Sequence, residues 1–106
     1  MSDKHRITLK QKLLQELFLF SMNKKARLNS KNKLETPSSG TTIAIDYSAK
    51  DKLLEVQFLP GKVYHYKKVE PDIWRKYKEI VISGGSSGLF VNTEVKPFYE
   101  YYEVPI

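Results

Sequence analysis

Apolar and polar residues alternate in three successive runs through the middle of the chain. In TTIAIDYS, residues 41–48, Ile43, Ile45 and Tyr47 are separated by Thr42, Ala44 and Asp46, the period-two pattern of a half-buried strand. After the turn SAKDK, the run LLEVQFLP sets Leu54, Val56 and Phe58 on one face and Glu55 and Gln57 on a wet one. The run KVYHYKKV puts Tyr64 and Tyr66 on one side and Val63, His65 and Lys67 on the other, with His65 expected at the surface. Pro60-Gly61 reads as a tight turn, with Pro at the first central position and a positive φ at Gly. Short connections between consecutive strands predict an antiparallel meander.

The period then changes to helical. Pro71 is a good first helical residue and Asp72 favours the positive end of the helix dipole. Ile73, Trp74, Tyr77, Ile80 and Val81 follow as an apolar stripe, predicting a helix from Pro71 to about Ile82 that covers the sheet. SGGSSG, residues 83–88, reads as a flexible connection, and the remainder is aromatic and β-prone, broken by Pro97. At the other end Ile7, Leu9, Leu13, Leu14, Leu17, Phe18 and Phe20 recur at three to four residue intervals, predicting an amphipathic helix that docks on the domain or on a partner. From Met22 to Gly40 periodicity is lost and Lys, Asn and Ser dominate, the composition of a flexible linker.

The expected fold is therefore α+β: a three-stranded antiparallel β-meander packed against one α-helix, with an additional N-terminal amphipathic helix. The helix and basic linker occupy residues 1–40 and the folded domain residues 41–106. A chain of 106 residues suits one such domain. No apolar stretch approaches the ~20 residues that a membrane span requires, and Gln15 and Glu16 interrupt the one that resembles a secretory signal.

Charge divides the chain unevenly. The net charge is +6, and residues 1–35 hold nine basic and three acidic residues, so the whole excess lies there. Residues 36–106 are balanced at nine of each. The basic run Lys24, Lys25, Arg27, Lys31 and Lys33 is suited to phosphate contacts that carry no sequence preference. The chain has no cysteine, which excludes disulfides, thiolate nucleophiles and cysteine zinc sites, and points by default to the cytoplasm.

Candidate chemistry is sparse. The Ser/Gly loop lacks the Lys-Ser/Thr pair of a phosphate-binding P-loop and follows a helix instead of preceding one. His65 has no second ligand at metal spacing, and neither His65 nor Asn92 has an evident activating partner, so no enzyme, metal or cofactor is expected. Eleven aromatic residues from residue 36 onward are the notable content, and rings both fill small cores and stack nucleobases.

Ile43, Ala44 and Tyr47, the LLEVQF run, Gly61, Tyr64-His65-Tyr66, Glu70-Pro71, and then Gly88, Phe90, Asn92 and Val95 follow an ordered pattern. In it the segment from Thr41 to Val104 resembles the KTSC domain, a module found at the C-terminus of some lysyl-tRNA synthetases and as a free-standing bacterial protein. The resemblance rests on a Y-x-Y motif at residues 64–66 and on a G-x-[YF]-F-N-x-x-[IV] pattern at residues 88–95. Val91 departs from it, standing where an aromatic usually precedes the asparagine. FYEYYEV departs as well, replacing a stretch often rich in arginine. The family's function is not established, and its attachment to a tRNA synthetase suggests RNA binding. What the resemblance implies here is a non-enzymatic RNA-binding module, with ligand contacts from Tyr64, His65, Tyr66, Asn92, Lys62, Lys67, Lys68 and Lys96. The competing expectation is a protein-interaction or self-association module built on the N-terminal helix and the C-terminal aromatic segment.

Overall fold

The structure, a computed structural model, describes residues 26–105. The expected N-terminal helix, with Lys24 and Lys25, lies outside the described residues. The rest is an α+β fold in which one five-stranded antiparallel sheet has the strand order β1-β2-β3-β4-β5. Its strands are β1 (Leu34–Glu35), β2 (Thr42–Ser48), β3 (Leu53–Phe58), β4 (Val63–Tyr66) and β5 (Tyr101–Val104). Between β4 and β5 come α1 (Pro71–Ile82), the single-turn helix α2 (Ser87–Phe90) and a π-helical turn (Val91–Val95) that continues it.

The expected meander is the centre of this sheet, and two strands extend it. β1 arises from the segment read as linker, and β5 from the tail after Pro97. Neither shows a period-two signal: β1 has two residues, and β5 carries aromatic residues on both faces. The Pro60-Gly61 connection is as short as expected but differently built, with the Leu59–Pro60 peptide cis and Gly61 outside the positive-φ region.

Cross-strand partners share a face of a sheet. One face therefore carries Ile45 and Tyr47, Leu54 and Val56, Tyr64 and Tyr66, and Tyr101. This helical face packs against Trp74 and Tyr77 of α1 and Val91 and Val95 of the π turn in one buried cluster. The Tyr47 and Trp74 rings stack at 5.5 Å and 9°, while the Tyr47 hydroxyl donates to the Val69 carbonyl at 2.6 Å. Tyr64 and Tyr66 thus lie on the covered face, Tyr66 fully buried and Tyr64 half-buried. Val91, which departs from the family pattern, is fully buried in this core.

α1 has the boundaries that its stripe predicts, with Pro71 in the first turn. Gly84, at φ +84°, ends it, its N–H donating to the Val81 carbonyl at 3.1 Å. The SGGSSG connection is not loose, however. Ser86 caps α2 by accepting from the Leu89 N–H at 3.1 Å, and Ser87 and Gly88 are buried. A methyl group on Gly88 would overlap the Thr41 side chain. Buried hydroxyls then join the sheet to both helices: Thr36 meets Thr42 at 2.7 Å, Thr42 donates to Ser87 at 2.8 Å, and Tyr77 meets Ser87 at 2.7 Å. Burial pushes the Tyr77 hydroxyl up to about 12.

The linker expectation is corrected by the opposite face of the sheet. That face was expected to be wet at Glu55 and His65, yet Asp46, Glu55 and His65 are all buried. The segment from Ala26 to Lys33, here called the strap, bonds to Glu55, Asp46 and the Tyr47 carbonyl. Arg27 donates through Nε and Nη2 to Glu55 Oε1 at 3.2 and 3.1 Å, and the Leu28 N–H donates to Oε2 at 2.8 Å. Ser30 donates through its N–H and hydroxyl to Asp46 at 3.0 and 2.5 Å, and the Asn32 amide donates to the Tyr47 carbonyl at 3.0 Å. A buried carboxylate requires such partners, and no periodic sequence pattern announces them.

Candidate functional site

Two groups of side chains stand out, one on each face of the sheet. On the helical face, beyond the part covered by α1, rings run across three strands. Phe58 of β3 meets Tyr64 of β4 edge-on at 5.6 Å, and Tyr64 meets Tyr101 of β5 at 5.5 Å. Tyr66 touches the same Tyr101 ring at 5.8 Å. The row follows from the register, which sets Val56 opposite Tyr64 and Tyr66 opposite Tyr101. Burial decreases along it: Phe58 and Tyr64 are half-buried, while Tyr101 is 60% exposed. Phe98, 70% exposed, lines a neighbouring depression with Tyr99, Tyr101 and Lys67.

Cations border these rings. The Lys96 ammonium lies 5.0 Å from the Phe58 centroid, a cation–π distance. Lys67 pairs with Glu100 at 3.2 Å, an interaction in which Glu100 is largely solvated. Lys62 is exposed in the hairpin that joins β3 to β4. Such a surface offers ring faces to planar groups and ammonium groups to anions.

On the strap face, a row of polar side chains crosses four adjacent strands: Asp46, Glu55, His65 and Tyr102. His65 Nε2 lies 2.8 Å from Glu55 Oε2, and Nδ1 lies 3.0 Å from the Tyr102 hydroxyl. A carboxylate only accepts, so in the neutral ring Nε2 carries the hydrogen and bare Nδ1 accepts from Tyr102. Burial by itself raises the Glu55 pKa. Hydrogen bonds from His65, the Leu28 N–H and Arg27 outweigh it and hold the carboxyl below its usual range. Burial raises the Tyr102 hydroxyl, and Asp51 and Glu55 add to the shift.

The residues singled out from the sequence thus separate into distinct places. Tyr64, Lys62, Lys67 and Lys96 belong to the aromatic surface or its border. Tyr66 and His65 are 2% and 0% exposed, so neither offers a surface to a ligand, and His65 is a core residue instead of a surface one. Asn92 is exposed in a different depression, lined also by Ser38, Ser39 and Ser86. Lys68 is exposed at φ +58°, in the connection after β4. Of the basic run, Lys31 and Lys33 are exposed on the strap, whereas Arg27 is engaged with Glu55. Phe58 was not singled out as a contact, and Phe98 and Tyr101 entered only within the C-terminal aromatic segment of the protein-interaction expectation. The FYEYY cluster was the signal for Phe98 and Tyr101, but a periodicity reading cannot tell an inward ring from an outward one. Among the described residues no group of three His, Asp or Glu side chains is placed to hold a metal ion, and no helix is long and apolar enough to cross a membrane.

A family model, the KTSC domain, matches residues 38–99. The crystal structure of a KTSC domain protein from Yersinia pestis superposes with a TM-score of 0.55 at 23% identity, covering 69% of this chain and 96% of that one. No curated protein matches the sequence. Arg27 and Tyr102, the two ends of the strap-face network, both lie outside the matched segment, whereas Glu55 and His65 lie within it.

Proposed function

Since the chain belongs to the KTSC domain family, we propose that it is a non-enzymatic binding module whose ligand is single-stranded RNA, held on the aromatic end of the helical face. The observation that carries this reading is the exposure of Tyr101 and Phe98 beside the half-buried Tyr64 and Phe58, with Lys62, Lys67 and Lys96 at the border. Exposed rings on a sheet accept unstacked bases, at about 1–3 kcal/mol per base, and lysines at the rim meet the phosphates. The family's occurrence on tRNA synthetases supports the choice of RNA. Lys31 and Lys33 on the strap, with Lys24 and Lys25 ahead of it, add contacts without sequence preference. The cytoplasm is the compartment that goes with this reading.

Fluorescence anisotropy with a labelled ten-residue oligouridine tests it. Tyr101→Ala and Phe98→Ala should each weaken binding by about tenfold at low salt, corresponding to the loss of one stacked base. Full retention of affinity in both variants, or no binding by the unaltered chain at low salt, rejects the proposal.

One observation favours the alternative of a protein-interaction module. β5 pairs with β4 on one side and, among the described residues, with nothing on its other side, the arrangement that accepts an added strand from a partner. A ten-residue peptide ligand would then protect β5 amides where the oligonucleotide does not.

A further inference from the structure

We propose that Tyr102 and His65 are positioning residues: they hold β5, and with it Tyr101, through a chain of hydrogen bonds that is anchored at the strap. The ligand in this inference rests on the RNA reading above, but the mechanical claim does not.

β5 needs an anchor. It has four residues and one neighbouring strand, and Glu100 and Tyr101 at its start, with Glu103, are exposed. Adjacent residues of a strand point to opposite faces, so Tyr101 joins the ring surface while Tyr102 reaches the strap face. There the Tyr102 hydroxyl is hydrogen-bonded to His65 Nδ1 at 3.0 Å, and their rings meet edge-on at 5.3 Å. His65 is enclosed and donates in turn to Glu55 at 2.8 Å. Glu55 is fixed from outside the sheet by Arg27 and the Leu28 N–H. The links therefore run unbroken from Tyr102 through His65 into a carboxylate that the strap holds still. They cross β5, β4 and β3 in succession and connect residues far apart in sequence.

Without the Tyr102 hydroxyl, Nδ1 of an enclosed imidazole loses its hydrogen-bond partner and β5 loses its polar tie on that face. The edge-on ring contact survives in phenylalanine. Without Arg27, Glu55 loses the group that fixes its other oxygen, and the same strand should loosen from the far end. Asp46, the remaining charged member of the row, bonds to Ser30 and to the Tyr47 N–H, and belongs to the strap contact instead of the chain to β5.

The test uses the full chain with Tyr102→Phe, Arg27→Ala and Arg27→Lys, read by amide hydrogen exchange and by oligouridine anisotropy. In Tyr102→Phe, exchange at residues 102–104 should accelerate about three- to tenfold, as expected for one lost hydrogen bond, while α1 amides stay protected. Oligouridine affinity should fall by a similar factor. Arg27→Ala should reproduce the β5 effect, Arg27→Lys should restore part of it, and the double variant should add little to either single one. Unchanged β5 exchange in Tyr102→Phe overturns the proposal, and so does acceleration spread evenly over the whole chain. If the exchange pattern appears but Tyr101→Ala binds oligouridine normally, the positioning claim stands and the RNA reading fails.

Discussion

Glu55 shows how a residue can read one way in sequence and behave another way in the fold. Its alternation with Leu54 and Val56 placed it on a wet face, and the face is correct, but the strap covers that face and leaves the carboxylate with 3% of its side chain exposed. Because its folded pKa is held down, its contribution to stability is complete above the unfolded value, about 4.3, and is lost as pH falls through the lower folded value. Glu55→Gln should therefore cost about 1–3 kcal/mol near neutrality, where the part-exposed Arg27 is left without its charge partner. The gap to the unaltered protein should narrow as pH falls below about 4. Urea denaturation at pH 7 and pH 3.5 measures this, and a gap that is the same at both values contradicts the role given to Glu55.

Single elements were legible in proportion to how far one face dominated their pattern. α1 was read with its correct limits because Ile73, Trp74 and Tyr77 sit on one stripe between Pro71 and the glycines. The three central strands were read for the same reason. α2 and its π turn were misread as β-prone, since Leu89, Phe90 and Val91 are consecutive, although the cap at Ser86 and the four-residue spacing of Val91 and Val95 were available as helical signals. The strap had no periodic signal at all: its structure comes from hydrogen bonds to Glu55, Asp46 and Tyr47, residues 15 to 28 positions away. The candidate site divides similarly, with lysines visible as charges and ring exposure decided by tertiary packing. A chain beginning at residue 34 should be less stable than one beginning at residue 26 by at least about 3 kcal/mol, because two buried carboxylates lose their donors. Equal urea midpoints for the two chains would mean that the strap lies on the sheet without supporting it.

At the scale of the whole molecule, the separation of charge from the ring surface determines how binding should respond to salt. Residues 1–25 carry six basic and two acidic residues, so a chain starting at residue 26 keeps +2 of the original +6. In the proposed RNA reading the rings would contribute stacking, which salt hardly affects, whereas each phosphate contact would steepen the fall of log affinity with log salt by about 0.7 for a single strand. The aromatic surface itself carries both signs, since Lys67 pairs with Glu100 and Glu103 lies opposite Tyr64 in the register. Oligouridine titrations between about 50 and 300 mM salt should then give a steep slope for the full chain and a shallow one for the chain starting at residue 26. At the high-salt end the two affinities should converge, because what remains there is ring contact common to both. Tyr101→Ala should lower the two curves in parallel without altering either slope. A full-chain slope as shallow as the truncated one would detach the basic arm from the ligand. A Tyr101→Ala effect that vanishes on truncation would place the ligand on the arm instead of the sheet.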